Sequence, residues 1–304
     1  MPEHSKQHFI PRSYLAAWCD PATPEDQEPY VWRFPKDGGD GKRKAAHKLF
    51  TETEMYTLHA ADGSRDLRLE HGLADLEDAF ARVRAEKISQ RLPLTAADQF
   101  VVFAFIAAMH SRTPKQRDHW KQQWQGILDQ MKSMRDQVRK MTPAQRKNIP
   151  PSIGSGGPSM GIEEVEQLAS NPVPMLLVSA MQQLLPGLMQ FNLAVLTTGL
   201  EAEFITSDAP CAWFDPEVHR RPFPYNSIGL MYPTVEITLP LGPGELALLS
   251  RKELSGYLPI PSAIVDDLNR RTRAYAHEYF VTSKNEVKDI WFDMGEPPEE
   301  NAAR

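Results

Sequence analysis

Three stretches in the first two-thirds of the chain carry apolar residues at helical spacing. From residue 66 to residue 91 these positions recur at intervals of four and three residues, which predicts an amphipathic helix. Residues 95–114 are apolar on nearly every side, which predicts a buried central helix that ends before Pro114. Residues 115–141 repeat the four-and-three spacing and predict a long helix with a coiled-coil-like seam. We expect this helix to pack on the 66–91 helix or, alternatively, on a second copy of the chain.

The pattern changes in the last third to short apolar runs separated by glycine and proline. Four of these runs predict the strands of one antiparallel sheet, namely residues 192–199, 203–206, 233–239 and 245–250. Shorter runs at residues 28–36 and 278–283 predict isolated strands nearer the two ends of the chain. Because helices dominate first and strands follow, the predicted class is α+β. The helical part fills the N-terminal two-thirds, and the small antiparallel sheet comes from the C-terminal third.

The chain is expected to form one α+β domain over residues 1–290. A segment rich in proline, glycine and serine, residues 142–161, predicts an internal flexible loop. The polar stretch 291–304 predicts a disordered tail.

Composition and charge exclude several classes of protein. The 304 residues carry a formal net charge of −6, so nucleic-acid binding is not expected. The longest apolar run, residues 100–109, is about half the ~20 residues needed to span a bilayer, so no membrane partner is expected. The N-terminal residues lack the pattern of a signal peptide, and Cys19 and Cys211 fit no metal or redox spacing. Together these features predict a cytoplasmic protein.

The common catalytic signatures are absent from the sequence. It contains no GxSxG elbow, no P-loop, no HExxH helix, no paired CxxC and no GxGxxG after a strand. Candidate chemistry therefore has to be sought in weaker patterns.

The first such pattern is the stretch "HFIPRSYLAAW" near the N-terminus. A helix that starts after Pro11 places Tyr14 and Trp18 on one face, where they would anchor the segment in the core. His8 and Arg12 remain for other roles. They either make structural hydrogen bonds or act as an acid–base group and an anion-binding fork.

Two further patterns combine charge with an apolar neighbour. In "FITSDAP" a buried strand ends at Ser207 and Asp208, which predicts either an Asx turn or a site at the strand end. The second pattern is a set of carboxylates on the 66–91 helix together with polar residues at the end of the 95–114 helix: Glu70, Glu77, His110 and Arg112. This set predicts a buried ion-pair network or, alternatively, an acid–base or metal site.

Six short motifs occur in an order that resembles a bacterial family described as domain of unknown function 4238. They are "HFIPRSYLAAW", "MYTL", "FIAAMHSRTP", "FITSDAP", "LPLGP" and "DDLNRRT". The resemblance covers residues 4–282 and implies no activity. The positions that match the family pattern are His8, Pro11, Tyr14, Leu15, Glu77, Arg112, Pro114, Ser207, Asp208, Pro210, Pro240, Leu241, Pro243 and Asn269.

We expect the anchored N-terminal segment to bring His8 and Arg12 to face Arg112 and the Ser207–Asp208 turn in one polar cluster, with Glu77 nearby. Two hypotheses for the function follow. In the first, the protein is a hydrolase that acts on a phosphate-containing or other anionic substrate, because two arginines in one cluster favour an anion. In the second, it is a non-catalytic regulatory module that binds a ligand or partner.

The candidate residues are catalytic His8 and Asp208, and substrate-binding Arg12, Arg112, Ser207 and Glu77. An oxygen-rich Mg²⁺ or Mn²⁺ site formed by Glu70, Glu77, His8 and Asp208 is the weaker alternative, and no metal site is predicted. The cofactor is left unassigned, and the chain is expected to be a monomer or a homodimer through the 115–141 helix.

Overall fold

The computed structural model describes residues 6–59, 62–147, 160–199 and 201–293. The helices in this part of the chain are α1 (Arg12–Leu15), α2 (Arg68–Val83), α3 (Ala96–Ser111), α4 (Pro114–Lys140), α5 (Pro143–Lys147), α6 (Ile162–Ser170), α7 (Pro172–Leu188) and α8 (Ser262–Tyr275). The strands are β1 (Lys6–His8), β2 (Tyr30–Pro35), β3 (Lys42–Ala45), β4 (Thr51–Thr53), β5 (Leu58–His59), β6 (Arg65–Asp66), β7 (Asn192–Thr197), β8 (Thr206–Ser207), β9 (Ala212–Phe214), β10 (Glu236–Pro240), β11 (Glu245–Ser250), β12 (Gly256–Pro259) and β13 (Tyr279–Thr282).

The strands form two larger sheets and two small pairs. The five-stranded sheet has the order β12-β7-β11-β10-β9, and the four-stranded sheet has the order β3-β2-β13-β8. The small pairs are β1-β4 and β5-β6. All strands pair antiparallel except β12, which runs parallel to β7.

The predicted fold class is correct as α+β, but the predicted placement of the sheet is wrong. Strands occur in residues 6–66 as well as in residues 192–282, and the four-stranded sheet joins the N-terminal hairpin β2-β3 to β13 near the other end. Residues 206 and 207 pair with β13 in this second sheet and do not extend the β7-β11-β10 ladder. The prediction failed because short strands reveal their hydrophobic pattern but not which distant strand they pair with.

The central helix α3 is buried as predicted. It begins at Thr95, whose hydroxyl accepts from the Asp98 amide in a reciprocal capping box, and Met109 near its end is fully buried.

The expected N-terminal anchor is also confirmed. The Tyr14 hydroxyl lies 2.8 Å from Thr206 Oγ1 and donates to the Pro240 carbonyl, while the Trp18 indole donates to the Phe204 carbonyl. The chain start is therefore tied to both larger sheets.

The long helix α4 has its predicted length, but the predicted partner helix is wrong. It packs mainly on α6, whereas α2 packs on α3. Part of its apolar stripe stays exposed, including Met134 at 60%. A homodimer through this helix remains a prediction.

The remaining boundary predictions fall largely outside the described residues. These are the loop at 142–161, where residues 148–159 are not described, and the tail, where residues 294–304 are not described. The one-domain organisation remains a prediction. No helix in the described part of the chain combines the length and the hydropathy that a membrane span requires.

Candidate functional site

An arginine lies on the core-facing side of the four-stranded sheet. Strand alternation places Arg33 on the same face as Val31, and its cross-strand neighbour is Val281. Both valines are completely buried, so an apolar residue would be expected at position 33. The guanidinium instead lies over the Tyr279 ring, with its carbon 4.0 Å from the ring centroid.

The Arg33 side chain lines a cleft of about 340 Å³, which we call the Arg33 cleft. Besides Arg33 and Tyr279, its lining includes the aromatic side chains of Phe9 and Phe50, whose ring centroids are 5.6 Å apart. Pro114, the first residue of α4, also lines the cleft. A volume of this size falls within the range of roughly 300–1,000 Å³ that is usual for small-molecule sites.

Several charged side chains that line the Arg33 cleft form ion pairs within the described residues. Arg117 forms ion pairs with Glu52 and, at 2.8 Å, with Asp118. Arg33 Nε, by contrast, is buried and has no hydrogen-bond partner among the described residues. A buried donor of this kind carries an uncompensated desolvation penalty of about 1–3 kcal/mol, which a bound acceptor would remove.

The N-terminus of α4 lies at the Arg33 cleft, whose lining carries three cationic side chains, Arg33, Lys48 and Arg117, and four carboxylates, Glu52, Asp118, Asp208 and Glu278. Thr113 caps this helix by accepting a hydrogen bond from the Gln116 amide at 3.2 Å. The aligned peptide dipoles of a helix place a partial positive charge at its N-terminus, which favours anions. The helix end therefore acts in the same direction as the Arg33 guanidinium.

Asp208 also lines the Arg33 cleft, but its carboxylate is fully engaged with the backbone. Oδ1 accepts from the His277 amide at 2.7 Å, and Oδ2 accepts from the amides of Glu278 and Tyr279 at 2.7 and 2.9 Å. Burial raises the pKa of the Asp208 carboxyl, while these three donors favour the anion and act in the opposite direction. The neighbouring Ser207 hydroxyl accepts from the Ala209 amide at 3.2 Å. The "FITSDAP" segment is thus a turn that clamps the start of β13.

Glu77, Arg112 and His8 form a second polar group. Arg112 is 1% exposed and donates from Nη1 to Glu77 Oε1 at 2.6 Å. His8 Nε2 lies 3.1 Å from the His47 carbonyl oxygen. Burial lowers the pKa of His8, with opposing contributions from the His47 carbonyl and from Glu77. The negative charge of Glu77 raises the pKa of the His8 ring, and the positive charge of Arg112 lowers it. The structure therefore brings together three of the six predicted site residues.

The other predicted polar residues lie apart from this group. Arg12 is exposed at the start of α1. Glu70 accepts a hydrogen bond from the Gln7 side chain at 2.9 Å. The His110 ring stacks on Trp213 with 4.6 Å between centroids, and burial lowers its pKa to about 4. In the described chain, no group of three His, Cys, Asp or Glu side chains is placed to hold a metal ion.

Comparison with known proteins gives a family but no activity. Residues 6–286 match the family model described as "Protein of unknown function (DUF4238)". The chain belongs to the DUF4238 family. Neither the curated proteins nor the solved structures contain a match to it. In this DUF4238 protein, site assignment therefore rests on the geometry of its own residues.

The sequence interpretation of this DUF4238 chain missed Arg33 and Arg117. A signal for Arg33 is present in "YVWRFP", because alternation with Val31 places a charged residue on the apolar face of a strand. Arg117 gives no comparable signal, since it is one of several charged residues on the polar surface of α4.

Proposed function

We propose that the protein binds an anionic small molecule in the Arg33 cleft and that Arg33 is the principal ligand contact. The observation that carries this proposal is the buried Nε of Arg33, which has no acceptor among the described residues. A guanidinium presents several N–H donors in a planar fork that matches carboxylate and phosphate oxygens. The Tyr279 ring supports it, with 4.0 Å between the guanidinium carbon and the ring centroid.

The placement and hydrogen bonding of the predicted catalytic residues favour binding over hydrolysis. Both carboxylate oxygens of Asp208 accept from backbone amides, and His8 does not line the Arg33 cleft. A general base needs an atom within hydrogen-bond reach of the proton that it removes. With these atoms engaged, we infer a binding or regulatory role for the cleft.

A thermal-shift screen tests this proposal. Inorganic phosphate, nucleotides, phosphosugars and small carboxylates are added to the wild-type protein and to Arg33→Met. At a concentration of 100 Kd, a ligand that binds the native state stabilises it by about 2.7 kcal/mol, which corresponds to roughly 4 °C for a chain of this length. The proposal expects at least one anion to give this shift and Arg33→Met to abolish it.

Arg43→Met is the matched control. Arg43 lies on the neighbouring strand β3, where its guanidinium carbon is 4.8 Å from the centroid of the Tyr30 ring, and it is not part of the Arg33 cleft. The Arg43→Met variant therefore loses an arginine that lies over an aromatic ring but leaves the cleft unchanged. The ligand-induced shift of its melting temperature should equal that of the wild type. Equal shifts in Arg33→Met and the wild type would contradict the proposal. Turnover of a stabilising phosphate ester would support the hydrolase hypothesis instead.

A further inference from the structure

A second cavity, of about 500 Å³, lies between helices α2, α3 and α7. Its lining is mainly aliphatic: α2 contributes Leu69 and Leu76, α3 contributes Ala104 and Ala107, and α7 contributes Met181 and Leu185. It shares no lining residue with the Arg33 cleft. We call it the helical cavity.

Small residues keep the helical cavity open. Helix α3 packs against both α2 and α7, but it presents only the methyl groups of Ala104 and Ala107 to the space between them. Gly72 on α2 also lines this space, and a Cβ added at Gly72 would meet no atom within 4 Å. The space is open to solvent along one side, where Gly72 and Val178 are exposed, and its mainly aliphatic lining is suited to an apolar guest.

The polar groups at the helical cavity carry no net charge. Its two charged lining residues are Asp66 and Arg68, which pair with each other through Arg68 Nε to Oδ1 at 3.0 Å and Nη2 to Oδ2 at 2.5 Å. Gln182 on α7 adds an uncharged amide. The Arg68 side chain is 90% exposed, so this pair lies at the solvent-facing rim, where a hydroxyl or amide head group can bond to it without disrupting it.

We propose that the helical cavity binds an uncharged amphiphile with a long alkyl chain. The alkyl chain of the ligand lies between α2 and α7, and its polar head group lies beside Asp66, Arg68 and Gln182. Val178 and Leu58 line the cavity and are 49% and 38% exposed, so apolar surface continues to the solvent where such a ligand would enter.

Calorimetric titration with straight-chain alcohols tests this inference on the full chain. Each buried methylene contributes about 0.8 kcal/mol, or about a fourfold gain in affinity. The affinity should therefore rise about 16-fold from hexanol to octanol and again from octanol to decanol. Decanoate and decylamine should bind more weakly than decanol, because their charged head groups meet the Asp66–Arg68 pair.

Gly72→Leu fills the helical cavity and should weaken decanol binding at least tenfold. Gly126→Leu is its matched control, because Gly126 is also a helical glycine at which an added Cβ meets no atom within 4 Å. Gly126 lies on α4, away from the cavity, so this variant should bind decanol like the wild type. Val178→Glu serves as a second blocking variant at a half-exposed wall position, where a carboxylate is tolerated by the fold but repels the alkyl chain.

The outcomes separate the proposal from its alternatives. Chain-length dependence together with loss of binding in Gly72→Leu and Val178→Glu supports the helical cavity as the alkyl site. Unchanged decanol affinity in either variant, or an affinity that is independent of chain length, would overturn it. Tighter binding of decanoate than of decanol would overturn the assignment to an uncharged head group.

Discussion

Removal of the Glu77 carboxylate should expose how strongly Arg112 depends on its partner. Arg112 is 1% exposed, its Nε is buried without a partner among the described residues, and its Nη2 reaches the Met109 sulfur at 3.4 Å. Glu77 therefore supplies the counter-charge for a guanidinium that water does not reach. The change Glu77→Leu leaves that charge buried and uncompensated.

The magnitude follows from the burial of the two partners. Breaking a fully buried ion pair by removing one partner destabilises a protein by about 3–5 kcal/mol. Since the Glu77 side chain is 24% exposed, water can partly replace it, and we expect the lower end, about 3 kcal/mol. In the double variant Glu77→Leu/Arg112→Met both charges are absent. It should be more stable than Glu77→Leu alone.

Urea denaturation followed by circular dichroism measures these free energies of unfolding. Asp78→Leu is the control, because Asp78 is exposed on the same helix one residue further on and should change stability by no more than about 0.5 kcal/mol. A loss below about 1 kcal/mol for Glu77→Leu would refute the argument. A double variant whose loss equals the sum of the losses of Glu77→Leu and of Arg112→Met, each measured alone, would refute it equally.

Two further predictions concern the other buried polar residues. Asp208→Ala removes the acceptor of three backbone amides and should lower the free energy of unfolding by about 4 kcal/mol, whereas Asp208→Asn, which keeps one acceptor oxygen, should lose less; urea denaturation of both variants checks this order. Because the pKa of His110 is lowered to about 4, the unfolded chain binds a proton that the native protein does not between pH ~6.5 and ~4. Stability should therefore fall by up to about 3 kcal/mol as the pH drops through that range, and His110→Phe should flatten that part of a stability–pH profile.

Helices and the N-terminal anchor could be predicted from local sequence, but sheet pairing could not. The spacing of apolar residues fixes a helix within a single stretch, which is why α3 and α4 have nearly their expected bounds. The pairing of β2 with β13 joins residues more than 240 positions apart, and no local pattern in either strand records it. The same limit explains why α6, and not the 66–91 helix, covers α4.

The candidate site shows a similar division between local and distant information. Charge and burial were correctly linked at Glu77 and Arg112, because an arginine at the end of an apolar helix requires a partner. The predicted meeting of these two residues with Asp208 depended on tertiary placement. The Asp208 carboxylate faces the backbone of residues 277–279, a contact made through amides that every residue type possesses. The need of these backbone amides for an acceptor cannot be inferred from the types of residues 277–279.

The most direct test of the anion site is an anomalous-scattering experiment on crystals soaked in selenate, a heavier analogue of phosphate and sulfate. If the Arg33 cleft binds anions, the selenium atom should give an anomalous peak in the cleft, and a selenate oxygen should lie about 3 Å from Arg33 Nε. The peak should be absent from crystals of Arg33→Met. Selenate bound elsewhere while the Arg33 cleft stays empty, or a peak that persists in Arg33→Met, would contradict the central claim.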